Sequence, residues 1–224
     1  MGLSWLRYKR ASEVIQQMHR KRINRYLEYW NGIAPRSHQE YYERWLFAFM
    51  SIRTMWRDNV KLFEAIRLLP TEFTEEQLRQ CLIENRSGMI NNRTRGIWNF
   101  HRDFWENPVA WYPSLGEPVS ECRDRLIERI FGMGIAKVSF VMEMAFPSTC
   151  DIVCIDVHLA RLYGLRDPYE RRMTPTAYRR IEEHWTQHCQ DRDIPAAIAR
   201  HVYWDHVQGQ GSTSYWSHVF EKAA

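Results

Sequence analysis

Asp156 has the clearest claim to chemistry in this sequence. It stands in Ile155-Asp156-Val157-His158, where an apolar helical run begins after a short loop. A carboxylate there has two uses. One oxygen can cap the orphan amides of a helix's first turn, and its charge can accept a proton or offset a developing cation. Residue type alone leaves both readings standing. Upstream, Gly132-Met133-Gly134 forms a tight turn before the run Ile135-Ala136-Lys137. Exposed amides at a helix start favour an anion such as a nucleic-acid phosphate. Gly132, Gly134, Ile135 and Lys137 are therefore candidate DNA contacts.

Several other side chains are candidates on type and position. Glu143 interrupts the apolar run Val141-Met142-Glu143-Met144-Ala145, where a charge is costly unless paired. It is expected either on a wet face beside an Arg or Lys, or at a pocket wall. His158 is expected to hydrogen-bond and orient the loop carrying Asp156, with acid–base work as the alternative. His201 and Asp205 lie one helical turn apart, yet no third ligand follows at a metal-binding spacing, so no metal site is expected. A helix with Val202 and Val207 inward, ended by Gly209, explains that segment more simply.

The charge is modest overall, +4 over 224 residues, but unevenly spread. Residues 7–25 carry seven Lys or Arg, including Lys21 and Arg22, against the single acid Glu13. This is either a solvated helix face or a strip that meets DNA phosphates. Five cysteines show no paired zinc spacing, and no run of about 18 apolar residues occurs, so no membrane segment is expected. A soluble, monomeric, cytoplasmic protein follows, in the host cytoplasm if the chain is viral. No cofactor is expected.

The positioning elements read as helices throughout, with no sustained strand alternation. Helices are expected near 10–31, 38–51, 56–68, 75–85, 91–105, 118–130, 135–146, 156–163, 175–189, 194–207 and 214–222. Ser37-x-x-Glu40 and Thr74-x-x-Gln77 are capping-box patterns, and Thr174-Pro175 pairs a cap with proline at the first helical position. Of the ten tryptophans, Trp45, Trp56, Trp98 and Trp105 sit inside helical patterns and are expected in the core.

The run LIERIFGMGIAKVSFVMEMAFPSTCDIVCIDVHLARLYGL, residues 126–165, resembles the central motif of the helix-hairpin-helix (HhH-GPD) DNA glycosylase superfamily. Leu126 and Ile130 supply the apolar face leading into the hairpin, and Ala145-Phe146 matches the close of its second helix. Ile155-Asp156-Val157-His158 matches the family's apolar-Asp-x-His motif. Upstream, Trp45 through Thr54 resembles an early core helix and the loop after it, and Gly88 through Arg95 resembles the start of a later helix. Together these cover most of residues 37–165.

The resemblance implies an all-α fold of two helical lobes with a cleft between them. One lobe would span 35–151, and the other would combine 1–34 with 152–224. Asp156 would activate a nucleophile or stabilise the sugar cation as a base leaves. Arg53 would sit at the loop that fills the gap left by an extruded base, as a wedge or a phosphate ligand. Bifunctional members carry a lysine where this chain has Ala136. Lys137 follows one position later, about 100 degrees around the helix, and is expected to contact phosphate or face solvent. Many members also hold an iron-sulfur cluster on four cysteines after the Asp. Only Cys189 lies there, so no cluster is expected.

Three functions remain open. The first is a monofunctional DNA glycosylase that flips a modified or mismatched base and cleaves its N-glycosidic bond. The second is a bacteriophage thymidine-hypermodification transferase, joining an amino acid or polyamine to activated 5-hydroxymethyluracil in DNA. The third is a non-catalytic DNA-binding module.

Overall fold

The computed structural model describes residues 5–165 and 173–209, with side chains from Arg7 onward. The helix expected near 214–222 lies outside the described residues. Among those described, eleven α-helices and one 3-10 turn appear and no strand does. The chain divides into two compact units, Pro35–Val141 and the two chain ends, Met1–Ala34 with Met142–Ala224. Residues 142–151, expected with the middle segment, group with the chain ends.

In the middle unit, helix α3 (His38–Met50) is followed by α4 (Trp56–Arg67), α5 (Glu75–Glu84), α6 (Ile90–Glu106), a 3-10 turn (Pro108–Trp111) and α7 (Val119–Arg129). Helix α8 (Ile135–Ala145) starts here. Every residue of α3 from Tyr41 to Met50 is buried, so it is the core helix rather than a surface one. Two buried charges on it, Glu43 and Arg44, break the apolar run; Glu43 pairs with Arg67 of α4 at 3.3 Å. Tyr42 stacks on Phe100 of α6 with ring centroids 5.3 Å apart, and Trp45 packs edge-on against Trp111 at the same distance.

Of the four tryptophans expected in the core, only Trp45 is fully buried; Trp56, Trp98 and Trp105 are half-buried, while Trp111 is fully buried. Gly96 of α6 lets this packing close on the hairpin. A Cβ there would meet the Phe131 carbonyl and the Phe49 ring, each at 3.1 Å.

The second unit contains α1 (Trp5–Gln16), α2 (Arg20–Gly32), the end of α8, α9 (Val157–Leu162), α10 (Pro175–Gln190) and α11 (Ala196–Val207). The single helix expected over 10–31 is two. No Pro or Gly marks the break. His19 adopts an extended backbone, φ −74° and ψ 130°, and the Ile15 carbonyl, which accepts from Met18 N–H at 3.2 Å, also accepts from Arg192 at 2.7 Å. The break separates two packing tasks: α1 lies on α9 and α10, whereas α2 lies on α11.

Most caps follow the sequence. Thr74 and Gln77 form the reciprocal box, and Thr174 accepts from the Ala177 amide ahead of Pro175's helix. At Ser37 only half the box forms. Its hydroxyl accepts from Glu40 N–H, but the Glu40 carboxylate turns to the Arg36 amide at 2.5 Å. Of the two valines expected inward on α11, Val202 is buried and Val207 is exposed.

Candidate functional site

The hairpin joins α7 to α8. Leu126 and Ile130 are buried, as an apolar face running into a turn requires. Gly132 has φ +84°, the left-handed region that disfavours a side chain, while Met133 turns inward. Lys137 and Val138 both donate to the Gly134 carbonyl, which opens α8. The amides of Ile135 and Ala136 thus precede the first intrahelical bond. Gly132 and Gly134 are exposed, and a Cβ added at either would meet no heavy atom within 4 Å. An anion can therefore approach this backbone closely.

Lys137 is not a solvated charge. Its ammonium donates to Ser51 at the end of α3, to Oγ at 2.7 Å and to the carbonyl at 3.1 Å, and lies over the Phe140 ring. A second cation holds the same corner. The buried Arg93 guanidinium donates to the carbonyls of Met50 and Ile52, at 3.2 and 2.6 Å, and to Thr54 Oγ1 at 2.5 Å. Its other arm reaches Ser87 Oγ at 2.6 Å. Cations suit the unsatisfied carbonyls at a helix C-terminus.

The loop they clamp carries Arg53, exposed and with φ 51°, uncommon for a residue with a side chain. Arg53 borders an open cavity of about 590 Å³ with Lys61, Arg86 and Arg93, against the one acid Asp58.

In the unit formed by the chain ends, Asp156 is the N-cap of α9. Its Oδ1 accepts from the His158 and Leu159 amides, each at 2.8 Å. The other oxygen, Oδ2, lies 3.7 Å from Arg200 Nη1, and the side chain is 20% exposed. Capping therefore rests on one oxygen, and the second faces Arg200.

Backbone delivery of Asp156 is unusual. Residues 153–155 are buried and lie outside any helix, with no strand among the described residues to bond their amides. Side chains substitute for one. Val153 N–H donates to Glu182, Cys154 N–H to Glu143 at 2.8 Å, and Ile155 N–H to the Tyr178 hydroxyl, which itself donates to the Val153 carbonyl. Unbonded, each of these buried amides would be costly.

Glu143 is on neither a wet face nor a pocket wall. It is completely buried, with its carboxylate against Arg200 of α11, itself 3% exposed. Burial pushes the Glu143 carboxyl above its usual range, while Arg200 and the Cys154 amide pull it back. Sequence reasoning does not single out Arg200, although a signal exists. One cation in the apolar run Ala196-Ala197-Ile198-Ala199-Arg200 mirrors one anion in the apolar α8.

His158 Nε2 accepts from Gln208 Nε2, 2.7 Å away, and the ring meets Trp204 edge-on. Its side chain thus ties α9 to the end of α11. His201 and Asp205 have structural partners: His201 stacks on Trp30 with centroids 3.9 Å apart, and Asp205 accepts from the Tyr26 hydroxyl at 2.7 Å.

The basic strip is partly internal. Lys21 is exposed, but Arg22 is half-buried over the Tyr26 ring. Neighbouring Arg20 is bound to Asp193, its Nη2 2.6 Å from the carboxylate.

An all-helical chain with a Gly-x-Gly hairpin between two helices, followed by a helix-capping Asp, has the fold of the helix-hairpin-helix DNA glycosylases. Solved structures agree. The Methanocaldococcus jannaschii 8-oxoguanine glycosylase/lyase, in complex with DNA containing 8-oxoguanine, is similar with a TM-score of 0.70 at 16% identity, over 92% of this chain and 99% of that one. The M. jannaschii 8-oxoguanine DNA glycosylase gives 0.68 at 16% identity, over 91% and 94%. The 8-oxoguanine DNA glycosylase of Thermotoga maritima gives 0.64 at 15% identity, over 90% and 92%. No family model and no curated protein matches the sequence. Among the described residues, no helix is long and apolar enough to cross a membrane.

Proposed function

We propose that this chain is a monofunctional DNA glycosylase that excises a modified or mismatched base, with Asp156 as its catalytic carboxylate. The observation that carries this reading is the division of labour at Asp156. One oxygen is held by two helix amides, and the other lies 3.7 Å from a buried arginine, on a side chain that is 20% exposed. A carboxylate fixed in this way can polarise a water or offset charge on a departing sugar without first reorganising. In a chain with the glycosylase fold, that is the chemistry the family resemblance assigns to this position.

The partner is DNA. Gly132, Gly134 and Ile135 would receive a phosphate at the open start of α8, Lys21 would add a second phosphate contact, and Arg53 would act at the opened base pair. Lys137 supports that backbone from behind by holding Ser51. Ala136, where bifunctional members carry a lysine, leaves no amine at that position to attack the sugar.

The fold neighbours act on 8-oxoguanine, which makes an 8-oxoguanine duplex the first substrate to try. Incubation with duplexes carrying single modified or mismatched bases, followed by mass spectrometry, tests the reading. Free base and an abasic site are expected. An intact nucleoside that gains mass from an amine-bearing co-substrate would instead establish the transferase, and binding without any product would establish a non-catalytic module.

A further inference from the structure

Two isolated charges buried in apolar helices need an explanation, because a hydrophobic pair of similar volume is often at least as stabilising. Glu143 and Arg200 are such a pair, on α8 and α11. Contacts of both lead towards Asp156. Arg200 places Nη2 on Glu143 and Nη1 at 3.7 Å from Asp156 Oδ2. Glu143 gives its second oxygen to the amide of Cys154, two residues before Asp156. One carboxylate thus holds both the cation beside Asp156 and the backbone that delivers it.

We propose that the buried Glu143–Arg200 pair is a positioning device for Asp156, aiming its free oxygen and setting how much positive charge that oxygen meets. The inference rests on reading Asp156 as the catalytic carboxylate. Arg200 is the positioning residue and Glu143 its anchor.

Cys150 faces Glu143 from the segment before Asp156, and burial holds its thiol well above the ordinary range. His201, beside Arg200 on α11, is held well below its ordinary value by burial and by that cation. Tyr203, which meets Asp156 from α11 and Arg10 from α1, is raised by burial. Near neutral pH these groups carry no charge. Glu182 adds an anion near Cys150, with one oxygen taken by the Val153 amide. Arg200 is thus the cation shared between two carboxylates, and Glu143 draws off part of the attraction Asp156 would otherwise receive.

Two variants test this, with activity read on whichever duplex the wild-type chain turns over. In Glu143→Gln the amide keeps a hydrogen bond to Arg200 and Cys154 but releases the cation to Asp156 alone. Turnover should then change while DNA affinity does not, and the His158 and Leu159 amide resonances should shift. In Arg200→Lys the charge stays but the two-armed fork is lost. Turnover should fall at least tenfold with DNA affinity unchanged, and the His158 and Leu159 amide resonances, which report the Asp156 cap, should shift.

Those amide resonances need no activity, so they still decide the link if the wild-type chain turns over no DNA and the glycosylase reading alone fails. Unchanged amide resonances in folded Arg200→Lys or in folded Glu143→Gln would reduce the pair to packing.

Discussion

Arg200 Nη1 lies 3.7 Å from Asp156 Oδ2, while Asp156 Oδ1 is committed to the amides of His158 and Leu159. Charge and cap therefore sit on different oxygens of one side chain. Asp156→Asn separates them, since an amide oxygen still caps but carries no charge and accepts no proton. The expected outcome is a loss of turnover of about 100-fold or more, with thermal stability and DNA affinity near wild type. Full activity in a folded Asn variant would leave Asp156 as a cap only.

No Schiff base should form at the hairpin helix. Lys137 is bound to Ser51 by two hydrogen bonds and lies over Phe140, and position 136 is alanine. Borohydride treatment during turnover should trap no adduct. Lys137→Met should instead lower stability by about 1–2 kcal/mol, read by chemical denaturation, because the end of α3 loses one of its two cationic caps. A trapped adduct mapped to Lys137 would make the enzyme bifunctional.

DNA binding should be salt-dependent, and the basic strip should contribute unequally. Lys21 is exposed, so Lys21→Glu is expected to weaken binding alike for all sequences. It should also reduce the slope of log affinity against log salt by about one. Arg22 lies over Tyr26 and Arg20 is tied to Asp193. Substituting either should show first in denaturation midpoints. Equal effects of Lys21 and Arg20 on the salt slope would argue that the Arg20 pair opens on binding.

Two histidines should make stability fall as the solution is acidified. Burial lowers His101 to about 4, and burial with the neighbouring His188 lowers His184 to about 4. Unfolded, each would bind a proton near pH 6.5. The unfolded chain thus binds more protons between those values, so the contribution is fully present above about pH 6.5 and drains away towards pH 4. Urea midpoints measured at half-unit steps over this range should decline steadily. His101→Asn, which cannot titrate, should flatten part of that decline; an unchanged slope would remove His101 from the account.

The elements themselves are legible in the amino-acid sequence because their signals are local. Helical periodicity, Thr74 with Gln77, Thr174 with Pro175, and the Gly132 turn each act within one or two turns of chain, where backbone sterics and capping decide. Asp156 stands out for the same reason, since a carboxylate at a helix start is visible as residue type and position. What lies beyond reach depends on partners far along the chain.

The break between α1 and α2 has no Pro or Gly to announce it, and Arg192, 177 residues on, adds a hydrogen bond to the Ile15 carbonyl beside it. Glu143 reads as a surface charge because its partner is 57 residues away. Lys137 reads as solvated because Ser51, 86 residues earlier, is not visible as its acceptor. In each case burial decides: it raises the cost of an unpaired charge or carbonyl until a distant side chain must meet it. Local pattern thus determined which helices form and where the carboxylate stands, and tertiary packing determined which of its oxygens is free and what charge that oxygen faces.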